Sequence, residues 1–574
     1  MPTVPPFIDR DSSMCAAGDG EGWICPAPPR GHCTVEPLIE AAEMYPRLER
    51  LVLEAEATVW MGFRIFDPGT KLRSQEAKAL GLGDWGDLIA HKARKGVRFR
   101  ILLADFEPVL ADYLHAGSWS TYRRVRQILE SLDESERDRL QLLVVQHEGE
   151  MGWAIRQALR IPLGRRLRKV INGLLGRSDH QDGGLDTRPG LWRSVRWVDG
   201  KPERWQRSPP PRLWPASYHQ KFVVVDGRQV VIGGLDLNER RWDDQHHRQR
   251  ANENWHDMSA LITGRVAGDA AQHFATLWNR ELPRYRATVA EWTDGCGQEL
   301  MLDPLDEANT AEAEDGKGEA VVQLVRTVSR KSPGLFALGP KALVRELKAA
   351  HRAIIRFAQQ RLYIEAQFFR SKEAGHWVEQ ALAANPGLEV IILIANAPEE
   401  IAFEGQGDNP AHRHGEYLQA RALGRLLRTG GRDRVGLFTL AKQEEANGAE
   451  AEFKESRGTA FGAGVIHIHS KLLIADDAAC LMSSANINGR SFDWDTELGV
   501  IWSEPGDAIA RFRHDLWSQL FDGQPPADLA GWREVAAANA KAEPEERTGF
   551  VIPYQLGRAR RFARPYFFIP DDLV

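Results

Sequence analysis

Two separate stretches of this chain carry one pattern: SYHQKFVVVDG, from Ser217 to Gly227, and IHIHSKLLIADD, from Ile466 to Asp477. Each holds a histidine, a lysine two positions on, an apolar run and then an aspartate: His219, Lys221 and Asp226, then His469, Lys471 and Asp476. A pattern written twice constrains the fold more than any total does, because it points to one unit used twice. The flanks repeat as well. YPRLERLVLEAEA leading into TVWMGFRIFD is matched by KALVRELKAAHRAIIRFAQQ leading into RLYIEAQFF. LIAHKARKGVRFRILLAD is matched by VEQALAANPGLEVIILIA, and RDRLQLLVVQ by RDRVGLFTLA. After the motifs, WHDMSALITG answers WDTELGVIWS, and helices carrying Phe274 and Trp278 or Phe512 and Trp517 follow. Strands alternating with helical stretches predict an α/β fold. The expectation is a pseudo-dimer of two similar α/β lobes, each a mostly parallel mixed sheet flanked by helices, with the active site at the lobe interface.

With 574 residues the chain has room for this arrangement, and a 43% hydrophobic content is that of a globular protein. Residues 1–44 read as a flexible lead, 45–300 as the first lobe, 301–320 as an acidic linker and 321–574 as the second lobe with a C-terminal tail. The net charge of −6 selects no partner class. Five cysteines, odd in number and scattered, argue against a disulfide framework. No secretory hydrophobic region and no apolar run of about 18 residues is found. A cytoplasmic or peripheral membrane location is expected, with signal-independent export left open.

Alternation along a strand puts His219 and Lys221 on one face, and likewise His469 and Lys471. The apolar runs after them suit strands buried on both faces of a parallel sheet. Small residues follow at matching offsets, Gly233 and Gly234, then Ser483 and Ser484, and were they close to a bound phosphate they would let backbone approach it. Asp236 and Asn486 come next at equal distance from their histidines and can hydrogen-bond an anion or orient a neighbour. Facing lobes would pool two histidines, two lysines and two Asn/Asp groups, an inventory suited to phosphodiester chemistry without a metal. One histidine attacks phosphorus, the other protonates the leaving oxygen, and the lysines neutralise the phosphate. A nucleophilic histidine needs its tautomer fixed, and Asp257 and Glu497, at corresponding positions of the repeat, are the candidates. Asp226 and Asp476 read as structural.

These residues resemble the phospholipase D superfamily, whose signature is the duplicated His-Lys-Asp motif, over roughly residues 45–574. GGLDLNERRWDD, NWHDM, VQLVRTVS, YIEAQFF and SSANINGRSFDWDTE are similar to segments of its phosphatidylcholine-cleaving branch. The resemblance implies His219 as nucleophile and His469 as general acid/base, through a phosphohistidine intermediate. It also implies hydrolysis of phosphatidylcholine-like lipids to phosphatidic acid, with primary alcohols as further acceptors, a phospholipid surface as partner and no nucleic acid. No cofactor is required on this reading, calcium stimulation stays open, a monomer is expected, and the lack of recognisable regulatory domains suggests a bacterial member. Tyr218 and Ala366 depart from the residues common in relatives. The rival readings are an endonuclease of the same superfamily or a phosphatidyltransferase such as cardiolipin synthase.

A segment from 151 to 215 makes the first lobe longer than the second and carries 14 Lys/Arg against 5 Asp/Glu. Its helical stretch interleaves Arg165, Arg166, Arg168 and Lys169 with apolar residues, and Pro162 is expected to kink or divide it. Trp192, Trp197, Trp205 and Trp214 follow. This basic, tryptophan-bearing insert is read as a membrane or substrate entrance, against the plainer reading of a helix docked on its own lobe. The pair His246–His247 lies in a polar run and reads as solvated, and no metal site is assigned.

Overall fold

A computed structural model describes residues 5–11, 23, 26–175, 184–185, 187–199, 201–206, 212–250, 252–290, 302–306, 315–404, 409–446, 448–454 and 457–574. Cys15, Cys25 and Cys296 lie outside these residues, as do 307–314 of the acidic linker.

Seven strands build the first sheet: β1 (Arg30–Ile39), β2 (Thr58–Phe63), β3 (Arg98–Asp105), β4 (Leu140–Gln146), β5 (Phe222–Val225), β6 (Gln229–Gly233) and β7 (Met258–Thr263). Hydrogen bonding orders them β1-β7-β6-β5-β2-β3-β4. The second sheet uses β8 (Ala320–Arg330), β9 (Arg361–Ala366), β10 (Glu389–Ile394), β11 (Val435–Glu445), β12 (Leu472–Ala475), β13 (Ala479–Ser483) and β14 (Glu497–Ser503). Its order, β8-β14-β13-β12-β9-β10-β11, is the first order element for element.

Both sheets are mixed and helix-flanked, as expected, but the parallel part is confined to β2-β3-β4 and β9-β10-β11. The motif strands β5 and β12 are antiparallel to both neighbours, unlike the parallel setting inferred from their apolar runs. Burial on both faces was the correct part of that inference: every residue of β5 and β12 is buried. Helix coverage explains it. Over β2, for instance, Trp60 stacks on Phe274 from the helix Val266–Ala290.

The lead is shorter than expected. Arg30–Ile39 is the edge strand β1, and the helix Glu40–Glu54 begins directly after it, burying Ala41, Met44, Tyr45, Leu48, Leu51 and Val52 at helical spacing. The linker is also more engaged than its composition suggests, since Leu302 is buried and Gly316 and Gly318 lie against the backbone of residues 32 and 33. Strand β1 pairs with β8 through Arg30–Val322 and Cys33–Ala320, joining the two sheets at their edges. One apolar core runs through both lobes.

Candidate active site

Each motif enters its strand beside the other lobe. The His219 N–H donates to the Thr496 carbonyl at 2.8 Å, and the Thr496 N–H donates to that of Ser217 at 3.0 Å. On the opposite side the His469 N–H donates to the His256 carbonyl at 2.8 Å, and the His467 N–H to that of Asn254 at 2.9 Å. Thr496 and His256 each precede a carboxylate, so this backbone pairing delivers the carboxylate to the facing histidine. His219 Nδ1 lies 3.0 Å from Glu497 Oε2, and His469 Nδ1 lies 2.6 Å from Asp257 Oδ2. The contacts are crossed: neither histidine is oriented by its own lobe. With Nδ1 committed, Nε2 is the nitrogen left for chemistry.

Lys221 Nζ donates to the His219 carbonyl at 2.7 Å and stands 3.8 Å from Asp236 Oδ2; Lys471 Nζ donates to the His469 carbonyl. Both lysines are buried. Asp236 uses its other oxygen to accept the Ile65 N–H at 2.9 Å, whereas Asn486 Oδ1 is buried with no hydrogen bond in the protein. A buried acceptor without a donor is a place for a hydroxyl or a protonated oxygen.

The site is buried and rich in cations. Burial, and then the neighbouring lysine, holds the imidazoles of His219 and His469 well below their ordinary range. Burial likewise lowers Lys221 and pushes Lys471 down to about 7. It raises Asp257 to about 6, and raises Glu497 to about 8 with help from the nearby Asp495 charge. These shifts share one cause, a buried pocket in which charge is disfavoured until a counter-ion arrives. An anionic phosphate between the lysines would favour their charged forms and those of the histidines.

Asp226 and Asp476 sit away from this pocket, at turns with φ of 51° and 52°. Asp226 accepts from the N–H groups of Glu56, Ala57 and Thr58 at 2.8, 2.8 and 2.7 Å. Asp476 accepts from Gln359, Gln360 and Arg361 at 2.7, 2.8 and 2.8 Å. Each pins its turn to the start of the neighbouring strand.

The four small residues lie against the protein's own groups. A Cβ on Gly234 would stand 2.1 Å from Asp257 Oδ1, and one on Gly233 2.5 Å from the Met258 carbonyl. Ser484 Oγ donates to Glu497 Oε2 at 2.5 Å, and Ser483 Oγ accepts the Ala485 N–H at 3.2 Å. Gly234 thus makes room for the Asp257 carboxylate, and Ser484 holds that of Glu497.

Pattern reading missed three arginines, Arg64, Arg241 and Arg490. Arg64 and Arg490 lie near enough to lower the His219 pKa, and Arg241 that of His469. Arg241 also lies 3.6 Å over the Trp255 ring. The available signal was positional, since Arg241 and Arg490 fall at nearly the same offset from their histidines. Arg64 also lines a cavity of about 610 Å³ in the first lobe, with Phe66, Phe106, Tyr113, Arg124 and Trp242.

The insert divides at Leu159 into helices Trp153–Ala158 and Arg160–Leu175, which places Pro162 in the first turn of the second. Its apolar stripe is largely spent on itself: Leu163, Leu167 and Ile171 pack with Val109, Leu191, Val195 and Leu213. Trp192 is buried and donates to the Leu185 carbonyl at 2.7 Å, while Trp197 and Trp205 flank the same small core and Trp214 is half-buried. The burial of these tryptophans fits the plainer reading of a helix docked on its own lobe. Arg165, Arg166, Arg168 and Lys169 are exposed, with Arg166 donating to the Val109 carbonyl at 3.0 Å and Arg168 lying 5.5 Å over the Trp205 ring.

Fold and site together define a two-lobed protein whose histidine–lysine centre is shared between internal repeats. Residues 352–519 match the family described as cardiolipin synthase, PLD-like domain. The chain is 24% identical over 392 residues to phospholipase D alpha 4 of Arabidopsis thaliana, covering 54% of this chain and 50% of that one. To phospholipase D2 of Bos taurus it is 25% identical over 377 residues, covering 50% and 38%. It thus spans half or less of the length of these relatives. A phosphatidylserine synthase from Haemophilus influenzae Rd KW20 is a solved structure similar over 84% of this chain and 85% of that one, with 12% identity and a TM-score of 0.47. Residues 352–519 thus carry the signature of a PLD-like domain, and the chain as a whole is similar to proteins of the phospholipase D superfamily.

Proposed function

We propose that this chain is a phospholipase D that cleaves the distal phosphodiester of phosphatidylcholine-like glycerophospholipids. The observation that carries this is the crossed pair of histidine–carboxylate contacts, His219 with Glu497 and His469 with Asp257. His219 Nε2 attacks phosphorus as the bond to the head-group oxygen breaks, and His469 passes a proton to that oxygen. His469 then takes a proton from water, whose oxygen displaces His219 and gives phosphatidic acid. A primary alcohol in place of water gives the transphosphatidylation product. Lys221 and Lys471 neutralise the non-bridging oxygens throughout, and no metal is needed at phosphorus.

The curated relatives named phospholipase D support the lipid reading. So does a surface patch. Trp153, Ile161, Leu335 and Phe336 are 58%, 68%, 63% and 75% exposed. The two segments are joined by the Gly152 N–H to the Ala337 carbonyl at 2.8 Å and the Ala154 N–H to that of Leu335 at 2.9 Å. Apolar side chains exposed together, with the insert's basic residues on the same segment, suit an anionic membrane surface. No described helix is long and apolar enough to cross a membrane.

The test incubates the purified chain with a mixed-lipid panel, with and without ethanol, and reads products by mass spectrometry. Free head group, phosphatidic acid and, with ethanol, phosphatidylethanol are expected, all abolished in His219→Ala. Lipid turnover without phosphatidylethanol would remove the covalent route. Oligonucleotide cleavage with no lipid turnover would replace the reading with a nuclease, and net formation of cardiolipin from phosphatidylglycerol with a transferase.

A further inference from the structure

His247, read from the sequence as solvated, is buried beside two other metal-ligating side chains. One potential ligand atom from each of Glu40, His247 and His256 lies within 4.8 Å of the other two. Glu40 Oε1 is 2.5 Å from His256 Nδ1 and 3.7 Å from His247 Nε2. All three residues are at most 3% exposed. We propose that they bind one divalent transition-metal ion of the zinc class, in a structural site behind His469.

The second nitrogen of each imidazole makes the argument. His247 Nδ1 lies 2.8 Å from Asp243 Oδ2, and His256 Nε2 lies 3.0 Å from Glu365 Oε2. A metal-bound histidine nearly always donates its remote N–H to a carboxylate in this way, which aims the free lone pair at the ion. Both outer carboxylates are themselves held: Asp243 Oδ2 accepts the Trp255 N–H at 2.7 Å and Glu365 Oε1 accepts the Tyr363 hydroxyl at 2.5 Å. Glu40 and His247 also adopt φ of 63° and 48°, a conformation that side-chain-bearing residues keep only where the surroundings impose it.

Two imidazoles and one carboxylate are a donor set for zinc and its neighbours. Calcium and magnesium take oxygen ligands and are excluded by the same set. Entry of the ion balances simply. The proton now shared by His256 Nδ1 and Glu40 Oε1 leaves, the nitrogen and the oxygen become ligands, and the N–H facing Glu365 stays. The position gives the ion a purpose independent of the proposed reaction. Glu40, His247 and His256 belong to the first lobe and Glu365 to the second, and the His256 carbonyl accepts the N–H groups of His469 at 2.8 Å and Ser470 at 3.2 Å. A bound ion would fasten the seam on which His469 sits.

The experiment produces the full chain in zinc-supplemented medium, purifies it without a metal-affinity step or chelator, and measures metals by mass spectrometry. About one zinc per chain is expected, falling at least tenfold in His247→Gln and unchanged in His376→Gln, an exposed histidine outside the cluster. After chelation, zinc chloride alone should rebind at one equivalent by calorimetry and raise the melting temperature. Wild-type protein with a native circular-dichroism spectrum that holds less than a tenth of an equivalent, and does not respond to added zinc, would overturn the proposal. So would full zinc retention by His247→Gln, or calcium in place of zinc. Because the wild-type measurement decides, a variant that fails to fold does not blunt the test.

Discussion

His219 and His469 each commit Nδ1 to a carboxylate from the opposite lobe, and that contact chooses the nitrogen and tautomer left for chemistry. Glu497→Gln and Asp257→Asn keep the shape but can present an amide N–H where an acceptor is needed. Each is expected to lower kcat roughly 10²- to 10⁴-fold with little change in KM, measured by head-group release under saturating lipid. The same carboxylates make stability depend on pH. Burial raises Glu497 from 4.5 to about 8 and Asp257 from 3.8 to about 6. Through that interval these carboxylates bind more protons in the folded chain than in the unfolded one, so their contribution to stability falls as pH rises. Lys471, lowered from 10.5 to about 7, acts in the opposite sense above pH 7, where the unfolded chain binds the extra proton. Below pH 6.5 the depressed His219 and His469 also oppose the carboxylates, so the test is differential: the melting temperature of substrate-free Glu497→Gln minus that of the wild type should rise from pH 4.5 to 7. Repetition made His219, Lys221, His469, Lys471 and both carboxylates readable, because each has a counterpart in the other lobe. Arg64 and His247 were not readable: their placement depends on contacts between segments far apart in sequence, which no local pattern records.

At the scale of elements, the motif strands are anchored at both ends, by backbone pairing before the histidine and by an aspartate at the turn after it. Removing the Asp226 side chain strips an acceptor from three N–H groups and leaves alanine at positive φ. Asp226→Ala is expected to cost about 2–4 kcal/mol in urea unfolding while the folded fraction keeps its turnover. The insert shows where periodicity stops being informative. Its apolar spacing was correctly helical, yet the spacing is the same whether the stripe meets a membrane or the loop containing Val109. Its exposed apolar side chains include Trp153 and Ile161, and the segment around Trp153 is bonded to the loop of the other lobe that exposes Leu335 and Phe336. Paired substitution Trp153→Asp and Phe336→Asp should reduce pelleting with anionic liposomes roughly tenfold or more and leave turnover of a soluble short-chain lipid intact. Unchanged pelleting would remove the patch from membrane binding.

In the whole molecule, two sheets whose seven corresponding strands follow one order meet edge to edge through β1 and β8, and the lobes exchange backbone hydrogen bonds at both histidines. The order of elements was legible because the repeats could be laid beside each other. The antiparallel setting of β5 and β12 was not, since an apolar strand covered by helices looks the same in either orientation. Nor did composition show that Arg30–Ile39 closes the seam. Such an arrangement resembles a dimer whose subunits have been tied into one chain, and the tie changes how the site responds to dilution. Partners that associate freely come apart when scarce, whereas linked halves stay at an effective concentration set by the linker. Specific activity should accordingly hold constant as the enzyme is diluted into the nanomolar range and below, a range in which a site assembled from separate chains loses activity in proportion to its dissociation. A cell needing only a few copies of this protein would still have every copy complete.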